Sequence, residues 1–355
     1  MKLLRLLPLL LCFFFLINGI STISAQDVPH FTLFTYTPIN TNPAYSGAFE
    51  GTVRLGGHFR DQAFTLSPNT YVTPAFYADA PLFRGIGKQD WIGAGVTFFN
   101  DKAGTLELAH GGFLGSISYH WAMDKKRNTV LSFAVQAGSM SRRFSTMKAE
   151  LGDELRDGLT PGTGPDALQI GTDPNTTYFD LNAGVLLRSK FNEQTNMTLG
   201  FAGKRLLTPR YAFLSENGTM SADSVDSDLP LRLTFHGDFR FELSKKWALA
   251  PAFLTNFART SETAVQMWVD HTLDPKSKKG QMLRVGLGYR LQDAAQVLLG
   301  YHTKNLRFAL GYDLTLSDLK DAVNTFGGGI EFGASYILRI YKDPEITPVI
   351  ICPRF

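Results

Sequence analysis

Strict alternation of apolar and polar side chains is the feature that most limits what this chain can fold into. It is clearest in the run LRLTFHGDFRFEL, residues 231–243. One set of alternating positions is apolar: Leu231, Leu233, Phe235, Phe239 and Phe241. The other set is polar or charged: Arg232, Thr234, His236, Asp238, Arg240 and Glu242. Because successive side chains of a strand point to opposite faces, the run predicts a strand with one apolar and one charged face.

Two kinds of protein contain such strands, and strand length separates them. In a soluble sandwich the charged face meets water, whereas in an outer-membrane barrel it lines the lumen and the apolar face meets lipid. The alternation recurs in residues 179–188, 283–291, 306–313 and 326–338. These segments have about 9–14 residues, enough to cross a bilayer at barrel tilt, while soluble strands are nearer about 5–6 residues. The pattern therefore favours an all-β fold, a transmembrane antiparallel β-barrel of outer-membrane type.

The number of alternating segments predicts about fourteen strands. They are expected to start near residues 50, 70, 91, 108, 129, 177, 195, 229, 246, 262, 281, 295, 305 and 326. An even number places both ends of the barrel sequence on one side of the membrane. That side then has the links 124–128, 192–194, 244–245 and 304–305, with longer ones near 81–90 and 272–280. The other side has loops at about 145–176, 208–228 and 316–325, which we expect to face outward because outer-membrane barrels have short periplasmic turns.

The first 25 residues are expected to be a secretory signal that is removed. Lys2 and Arg5 precede an apolar stretch, and small residues at Ser24 and Ala25 predict cleavage before Gln26. Cleavage leaves Cys352 as the single cysteine, so no internal disulfide can form. We therefore expect four regions: a signal at 1–25, a periplasmic leader or plug at 26–49, a barrel at 50–341 and a periplasmic tail at 342–355.

Composition excludes two classes of protein. With 44% apolar and 19% charged residues the chain is not intrinsically disordered. Its net charge of +3 gives no electrostatic footprint for nucleic acid. The 33 glycines fall mostly within the predicted strands, where they ease barrel curvature and crowding. The aromatic residues near the ends of predicted strands are Trp91, Tyr119, Trp121, Trp247, Tyr289 and Tyr312. Aromatic girdles at the membrane interfaces would have this placement, although the edge of a soluble sheet would also contain such residues.

The chemistry-bearing residues do not form a recognisable catalytic or metal-binding motif. The seven histidines lack the spacing of metal ligands and are better interpreted as polar lumen residues. The run Gly327-Gly328-Gly329 lacks the lysine and hydroxyl residue of a phosphate loop. A barrel phospholipase would need an adjacent serine and histidine on the lipid face, and no such pair is evident. We therefore expect no enzymatic activity, no metal and no cofactor.

The charged faces of the strands supply a candidate lumen network. Its members are Arg232, Asp238, Arg240, Glu242, Arg284, Arg290, Arg307, Asp313 and Glu331. These side chains could line an open pore or pair with one another to fill a narrow lumen. Their mixed signs form no selectivity ring, which favours the paired network.

The segments that flank the barrel are the other candidates. Residues 26–47 contain a candidate plug or partner segment with several prolines and asparagines: Phe31, Phe34, Tyr36, Pro38, Asn40, Asn42, Pro43 and Tyr45. Their aromatic rings are costly to leave in water, which favours a plug, or a segment beneath the barrel, over a simple leader. The tail offers a candidate contact at Cys352, Pro353, Arg354 and Phe355, either in the barrel mouth or on a periplasmic partner.

Several short motifs stand out along the chain after residue 25. They are Gln26-Asp27, His30-Phe31-Thr32-Leu33-Phe34, Pro38-Ile39-Asn40-Thr41-Asn42-Pro43-Ala44-Tyr45-Ser46-Gly47, Arg60-Asp61-Gln62, Gly311-Tyr312-Asp313-Leu314, Gly328-Gly329-Ile330-Glu331 and Cys352-Pro353-Arg354-Phe355. These motifs resemble those of the PorP/SprF outer-membrane proteins of the type IX secretion and gliding system. The family usually has a turn where this chain has Ala80-Pro81-Leu82. In this chain Thr37-Pro38 replaces the family's first Asn-Pro, and Ser46 replaces an alanine.

This resemblance implies a non-enzymatic outer-membrane barrel that supports export or surface anchoring of a large secreted protein. The expected partners are outer-membrane lipid, an adhesin or other protein with a C-terminal sorting domain, and periplasmic type IX secretion components. Both termini are expected in the periplasm. A general porin or small-molecule outer-membrane transporter is the alternative.

Overall fold

The computed structural model describes residues 31–62, 64, 71–86, 89–104, 107–143, 175–209, 228–277, 279–317 and 328–340. Fourteen strands follow one another around a closed barrel. They are β1 (Val53–Asp61), β2 (Val72–Ile86), β3 (Asp90–Ala103), β4 (Leu108–Ala122), β5 (Thr129–Arg143), β6 (Asn175–Asn192), β7 (Thr195–Lys204), β8 (Arg232–Glu242), β9 (Trp247–Phe257), β10 (Ser261–Thr272), β11 (Met282–Arg290), β12 (Ala294–His302), β13 (Leu306–Thr315) and β14 (Gly328–Leu338). The predicted fold is confirmed, and the strands start within a few residues of the expected positions.

The barrel closes where the first strand meets the last. β1 pairs antiparallel with β14, with Val53 opposite Leu338 and Arg60 opposite Glu331. Each remaining strand pairs antiparallel with its sequence neighbours. Closure satisfies the backbone hydrogen bonds of every strand within the sheet, which a bilayer requires because it offers no water to an open edge.

The two faces of the wall have the polarity of a membrane barrel. Large apolar side chains point outward, and Phe113, Ile117 and Leu287 are each about two-thirds exposed. Charged and polar side chains are buried on the inward face, among them Arg60 and Glu331. A soluble protein has the opposite arrangement, whereas an apolar exterior and a polar interior suit a barrel in lipid. No helix among the described residues is long and apolar enough to cross a bilayer.

The links between strands divide the barrel into two unlike ends. At one end, which we call the turn end, the links are 87–89, 123–128, 193–194, 243–246, 273–281 and 303–305. At the other, the loop end, they are 62–71, 104–107, 144–174, 205–231, 258–260, 291–293 and 316–327. The longest links therefore share one end, as expected. Most of the predicted loops 145–176, 208–228 and 316–325 fall outside the described residues.

One predicted link was wrong. Residues 81–86 belong to β2, and the link is confined to 87–89. Pro81 has no backbone N–H and so cannot donate to a neighbouring strand. The pairing of β2 with β3 shifts register between Pro81 and Phe83 and again between Arg84 and Ile86. These irregularities allow the strand to continue through residues that were expected to form a link.

Trp91 was also wrongly predicted, as a member of an aromatic girdle at the membrane interface. Its side chain is buried on the inward face, whereas Tyr119, Trp121, Trp247 and Tyr289 are exposed outward. Trp91 stacks on His120 with ring centroids 4.6 Å apart, and its indole N–H donates to the Gly47 carbonyl at 2.9 Å. A buried indole finds a polar partner when it can, and the interior supplies one here.

The segment before β1 lies inside the barrel. Two 3₁₀ turns, Phe34–Tyr36 and Pro43–Tyr45, flank a single helical turn, α1, at Pro38–Thr41. Pro38 and Pro43 each begin one of these turns, where a missing N–H costs nothing. We call residues 31–48 the plug segment.

Candidate functional site

The plug segment is fastened to the barrel wall at three places along its length. The first, near the loop end, centres on Glu331 of β14. Its carboxylate accepts hydrogen bonds from the backbone N–H groups of Thr32 at 2.7 Å and Leu33 at 2.8 Å. Arg60 donates to the same carboxylate at 2.6 Å, and His58 Nε2 lies 2.6 Å from it. We call these groups the Glu331 cluster.

A second carboxylate, on the neighbouring strand, extends the Glu331 cluster along the wall. Asp313 of β13 accepts the Thr32 hydroxyl at 2.7 Å and is paired with Arg60 at 3.0 Å and Arg290 at 3.1 Å. The Gln266 side-chain amide donates to the Thr32 carbonyl at 2.7 Å. Strands β1, β10, β11, β13 and β14 therefore all hold one end of the plug segment.

The second anchor is Asn42, which is fully buried. Its amide nitrogen donates to the Val185 carbonyl at 3.0 Å and lies 3.1 Å from His236 Nε2. Its side-chain oxygen accepts the Ala44 N–H at 2.9 Å and so caps the second 3₁₀ turn. Tyr45 stacks on His236 with ring centroids 5.5 Å apart, and burial raises the pKa of the Tyr45 hydroxyl.

The third anchor, Ser46 with Gly47, lies toward the turn end. The Ser46 carbonyl accepts the Ser118 hydroxyl at 2.6 Å and lies 2.8 Å from His120 Nε2. The Gly47 N–H donates to Asp79 at 2.7 Å, and Arg54 binds the same carboxylate with two hydrogen bonds of 2.8 and 2.9 Å. This end of the plug segment is thus held by β1, β2 and β4.

Apolar contacts fill the space between the anchors. Leu33 and Tyr36 pack with Trp268 and Leu298 in one buried cluster, and Phe34 packs in another beside Leu254. The Tyr36 hydroxyl lies 2.7 Å from His302 Nε2. The aromatic rings that would be costly in water are therefore buried against the wall.

The wall has no side chains where the plug segment comes closest. A Cβ at Gly184 would lie 2.0 Å from the Asn42 side-chain oxygen, and one at Gly93 would lie 2.2 Å from the Ser46 carbonyl oxygen. Gly47 itself has a φ of +69°, and a Cβ there would lie 2.6 Å from the Gly93 backbone. These glycines make close approach possible, a role beyond the barrel curvature that the sequence suggested.

The structure places the predicted lumen residues in several groups. Glu331, Asp313 and Arg290 bind the plug segment directly. Arg284 and Arg240 share Asp270, the first at 2.6 Å, and Glu242 lies 3.7 Å from Arg240 near the turn end. Arg232 lies 3.6 Å from Glu262. Arg307 lies over the Tyr36 ring at 5.3 Å, and Asp238 lines a 230 Å³ cavity beside the plug segment.

The predicted plug residues are likewise accounted for. Pro38 begins α1, Pro43 begins the second 3₁₀ turn, and the Asn40 carbonyl accepts Lys204 Nζ. Phe31 contacts His58 edge-on with ring centroids 4.5 Å apart, so the described part of the plug segment begins near the loop end. The tail residues Cys352, Pro353, Arg354 and Phe355, and residues 1–30, lie outside the described part of the chain.

Sequence reasoning missed several residues of the site. The anchor residues Arg60, Asp79, Arg54, Thr32 and Ser46, and the wall residue Asp270, were not among the candidate site residues. The charged ones are buried on the lumen faces of β1, β2 and β10, but alternation in a sequence does not show which lumen residues meet the plug segment. Within the described ranges, no three His, Cys, Asp or Glu side chains are arranged to hold a metal ion.

A closed barrel with an apolar exterior and an internal plug defines an outer-membrane β-barrel protein. A family model described as "Type IX secretion system membrane protein PorP/SprF" matches residues 23–336. The chain belongs to the PorP/SprF family of type IX secretion system outer-membrane proteins, as its motifs suggested. This family and fold are of a non-enzymatic kind.

The chain was also compared with curated proteins and with solved structures. No curated protein matches the chain. Among solved structures, the Ralstonia pickettii toluene transporter TbuX has a TM-score of 0.49 at 11% identity, covering 92% of this chain and 100% of that one. The P. putida toluene transporter TodX has a TM-score of 0.48 at 13% identity, covering 85% and 94%. A KdgM porin has a TM-score of 0.37 at 6% identity, covering 81% and 99%.

Proposed function

We propose that this protein is a plugged, non-enzymatic scaffold of the type IX secretion system that supports export or surface anchoring of a large secreted partner. The partner class is an adhesin or another protein with a C-terminal sorting domain. The observation that carries the proposal is the plug segment, which is hydrogen-bonded to strands all around the barrel of a PorP/SprF family member.

The interior favours a scaffold over a pore. A general porin needs a continuous water path lined by unpaired polar groups. Here Glu331, Asp313 and Asp79 each accept hydrogen bonds from both the plug segment and an arginine of the wall. Three cavities between plug and wall have volumes of about 50, 60 and 230 Å³.

Each end of the barrel has its own part in this proposal. The loops 144–174 and 205–231 leave the loop end and supply the surface for the exported partner. The turn end supplies the surface for periplasmic components of the secretion system. The rigid, filled barrel between these two surfaces anchors the assembly in the outer membrane.

The test is capture of partners from the native outer membrane. The tagged chain is released with a mild detergent after cross-linking, purified by affinity, and its companions are identified by mass spectrometry. We expect a large secreted adhesin-like protein together with periplasmic type IX components. A variant with residues 145–173 replaced by a short Gly-Ser linker should lose the secreted partner. A control variant with 274–280 replaced in the same way should retain it.

The alternative is tested by conductance of the purified chain in planar bilayers. A scaffold with a fastened plug gives almost no conductance. Steady porin-like conductance, with no secreted partner captured, would overturn the scaffold in favour of a general porin or small-molecule transporter.

A further inference from the structure

A basic cavity of about 640 Å³ opens at the turn end of the barrel, below the plug segment. This volume falls within the range of about 300–1,000 Å³ that is typical of ligand sites. Residues 49–52, which connect the plug segment to β1, form part of its wall. The ends of several strands and the residues after β14 form the rest. We call this cavity the vestibule.

The charge of the vestibule is strongly one-sided. Its charged lining residues are Arg84, Arg127, Arg188, Lys190, Arg339 and a single acid, Glu50. Lys190 is paired with Glu193 at 2.8 Å. None of the four arginines lies within ion-pair distance of a carboxylate in the described part of the chain. Since like charges repel at close range, this excess of cations suits an anionic ligand.

Three of the arginines donate to backbone carbonyls, which carry no net charge. Arg84 donates to the Gly51 carbonyl at 2.5 Å, Arg188 to the Ala48 carbonyl at 2.6 Å, and Arg339 to the Lys304 carbonyl at 3.0 Å. Arg127 lies 5.4 Å from the Trp91 ring centroid. The Nε atoms of Arg188 and Arg339 are buried and have no acceptor among the described residues. Both atoms could donate to an acceptor group of a bound molecule.

The same wall has apolar side chains, which narrows the class of ligand. Phe49, Val130, Met197 and Ile340 line the vestibule beside the arginines. A free inorganic anion would gain nothing from these groups. A peptide with both carboxylate and apolar side chains would pair with the guanidinium groups and also cover the apolar wall.

We propose that the vestibule binds an acidic, partly apolar peptide segment of a periplasmic partner protein. This assignment rests on the proposed function, which places the turn end in the periplasm. It adds the chemistry of the partner that the turn end would bind there. Plug and vestibule are continuous, because Phe49, Arg188 and Thr198 line both the vestibule and the 230 Å³ cavity beside the plug segment. A bound peptide would therefore lie directly beneath the plug.

The test measures fluorescence anisotropy of a fluorescein-labelled peptide of alternating glutamate and phenylalanine residues, with the purified full chain in detergent. We expect saturable binding that weakens with added salt. The triple variant Arg84→Gln, Arg127→Gln, Arg339→Gln should bind about tenfold more weakly, since each half-exposed ion pair contributes modestly. Arg188 is left in place because it holds the plug segment.

Two controls separate the vestibule from general basicity. The double variant Lys245→Gln, Lys246→Gln removes exposed charge at the turn end outside the vestibule and should bind as the original chain does. A peptide with glutamine in place of glutamate should bind at least about tenfold more weakly.

Three outcomes would overturn the proposal. One is equal binding by the triple variant, and another is full competition by inorganic phosphate alone. The third is binding that appears only after residues 341–355 are deleted, which would assign the vestibule to the chain's own C-terminal segment. None of these outcomes depends on partner capture from membranes, so failure here is distinguishable from failure of the proposed function.

Discussion

Glu331 shows how one buried residue can fasten the plug segment to the wall. Its side chain is almost fully buried, yet its oxygens accept from two backbone N–H groups and from Arg60. An ionised carboxylate in such a place is stable only when it is paired and hydrogen-bonded on every side. The negative charge therefore connects three separate parts of the chain: the plug segment, β1 and β14.

Replacing Glu331 by glutamine should weaken this connection. Glu331→Gln keeps the size of the side chain but leaves the Arg60 guanidinium buried without one of its carboxylates. We expect the free energy of unfolding to fall by about 3 kcal/mol, the usual cost of breaking a buried ion pair. The measurement is urea unfolding of the chain folded in lipid vesicles, followed by tryptophan fluorescence.

The matched control removes a carboxylate from an exposed pair. Glu193 lies in the link 193–194 and pairs with Lys190 at 2.8 Å in solvent. Glu193→Gln should leave the free energy of unfolding almost unchanged, because exposed ion pairs contribute little. If both variants unfolded at the same urea concentration, the Glu331 cluster would have no special part in stability.

At the scale of elements, the fit between the plug segment and β3 depends on a missing side chain. A methyl group at Gly93 would lie 2.2 Å from the Ser46 carbonyl oxygen and 2.7 Å from the Ser118 hydroxyl. Gly93→Ala should displace this end of the plug segment, at a cost of about 1–3 kcal/mol typical of overpacking. We expect measurable conductance in planar bilayers, where the unaltered chain conducts little.

Gly115 provides the control on the next strand. It faces outward, and a Cβ there would meet only the Ala137 carbonyl oxygen, at 3.9 Å. Gly115→Ala should leave conductance and stability unchanged. Equal conductance for Gly93→Ala and Gly115→Ala would mean that contact with β3 does not keep the lumen closed.

The elements differ in how far their sequence determines them. Strand number and facing were predictable because alternation is local and the lipid-facing set is uniformly apolar. The contacts of the plug segment were not predictable. Thr32 and Glu331 are 299 residues apart in the sequence, and alternation shows which face of a strand a residue lies on but not which residue it contacts. Trp91 was misplaced because an indole near a strand end can lie either at the membrane interface or in the barrel lumen. The link near 81–90 was misplaced because β2 continues past Pro81 with shifts of register against β3.

The whole molecule has two ends that differ in chemistry. The loop end has the longest links, whereas the turn end has short links and the basic vestibule. The plug segment joins them through the lumen, from Phe31 near the loop end to Ala48 near the turn end. A molecule so divided can contact different partners on the two sides of a membrane without an open path between them.

Sidedness in the membrane is therefore the property on which the proposed function depends. In a background with Cys352→Ser, a single cysteine is introduced at an exposed position of either end. Ala258→Cys lies in the link 258–260 at the loop end, and Ser244→Cys lies in the link 243–246 at the turn end. Because long loops of outer-membrane barrels face outward, we expect a membrane-impermeant maleimide to label Ala258→Cys in intact cells. Ser244→Cys should be labelled only after the outer membrane is permeabilised, and both variants should be labelled in detergent.

The reverse pattern in intact cells would place the vestibule on the cell surface and the long loops in the periplasm. The two proposed sets of partners would then have to be exchanged between the two sides of the membrane.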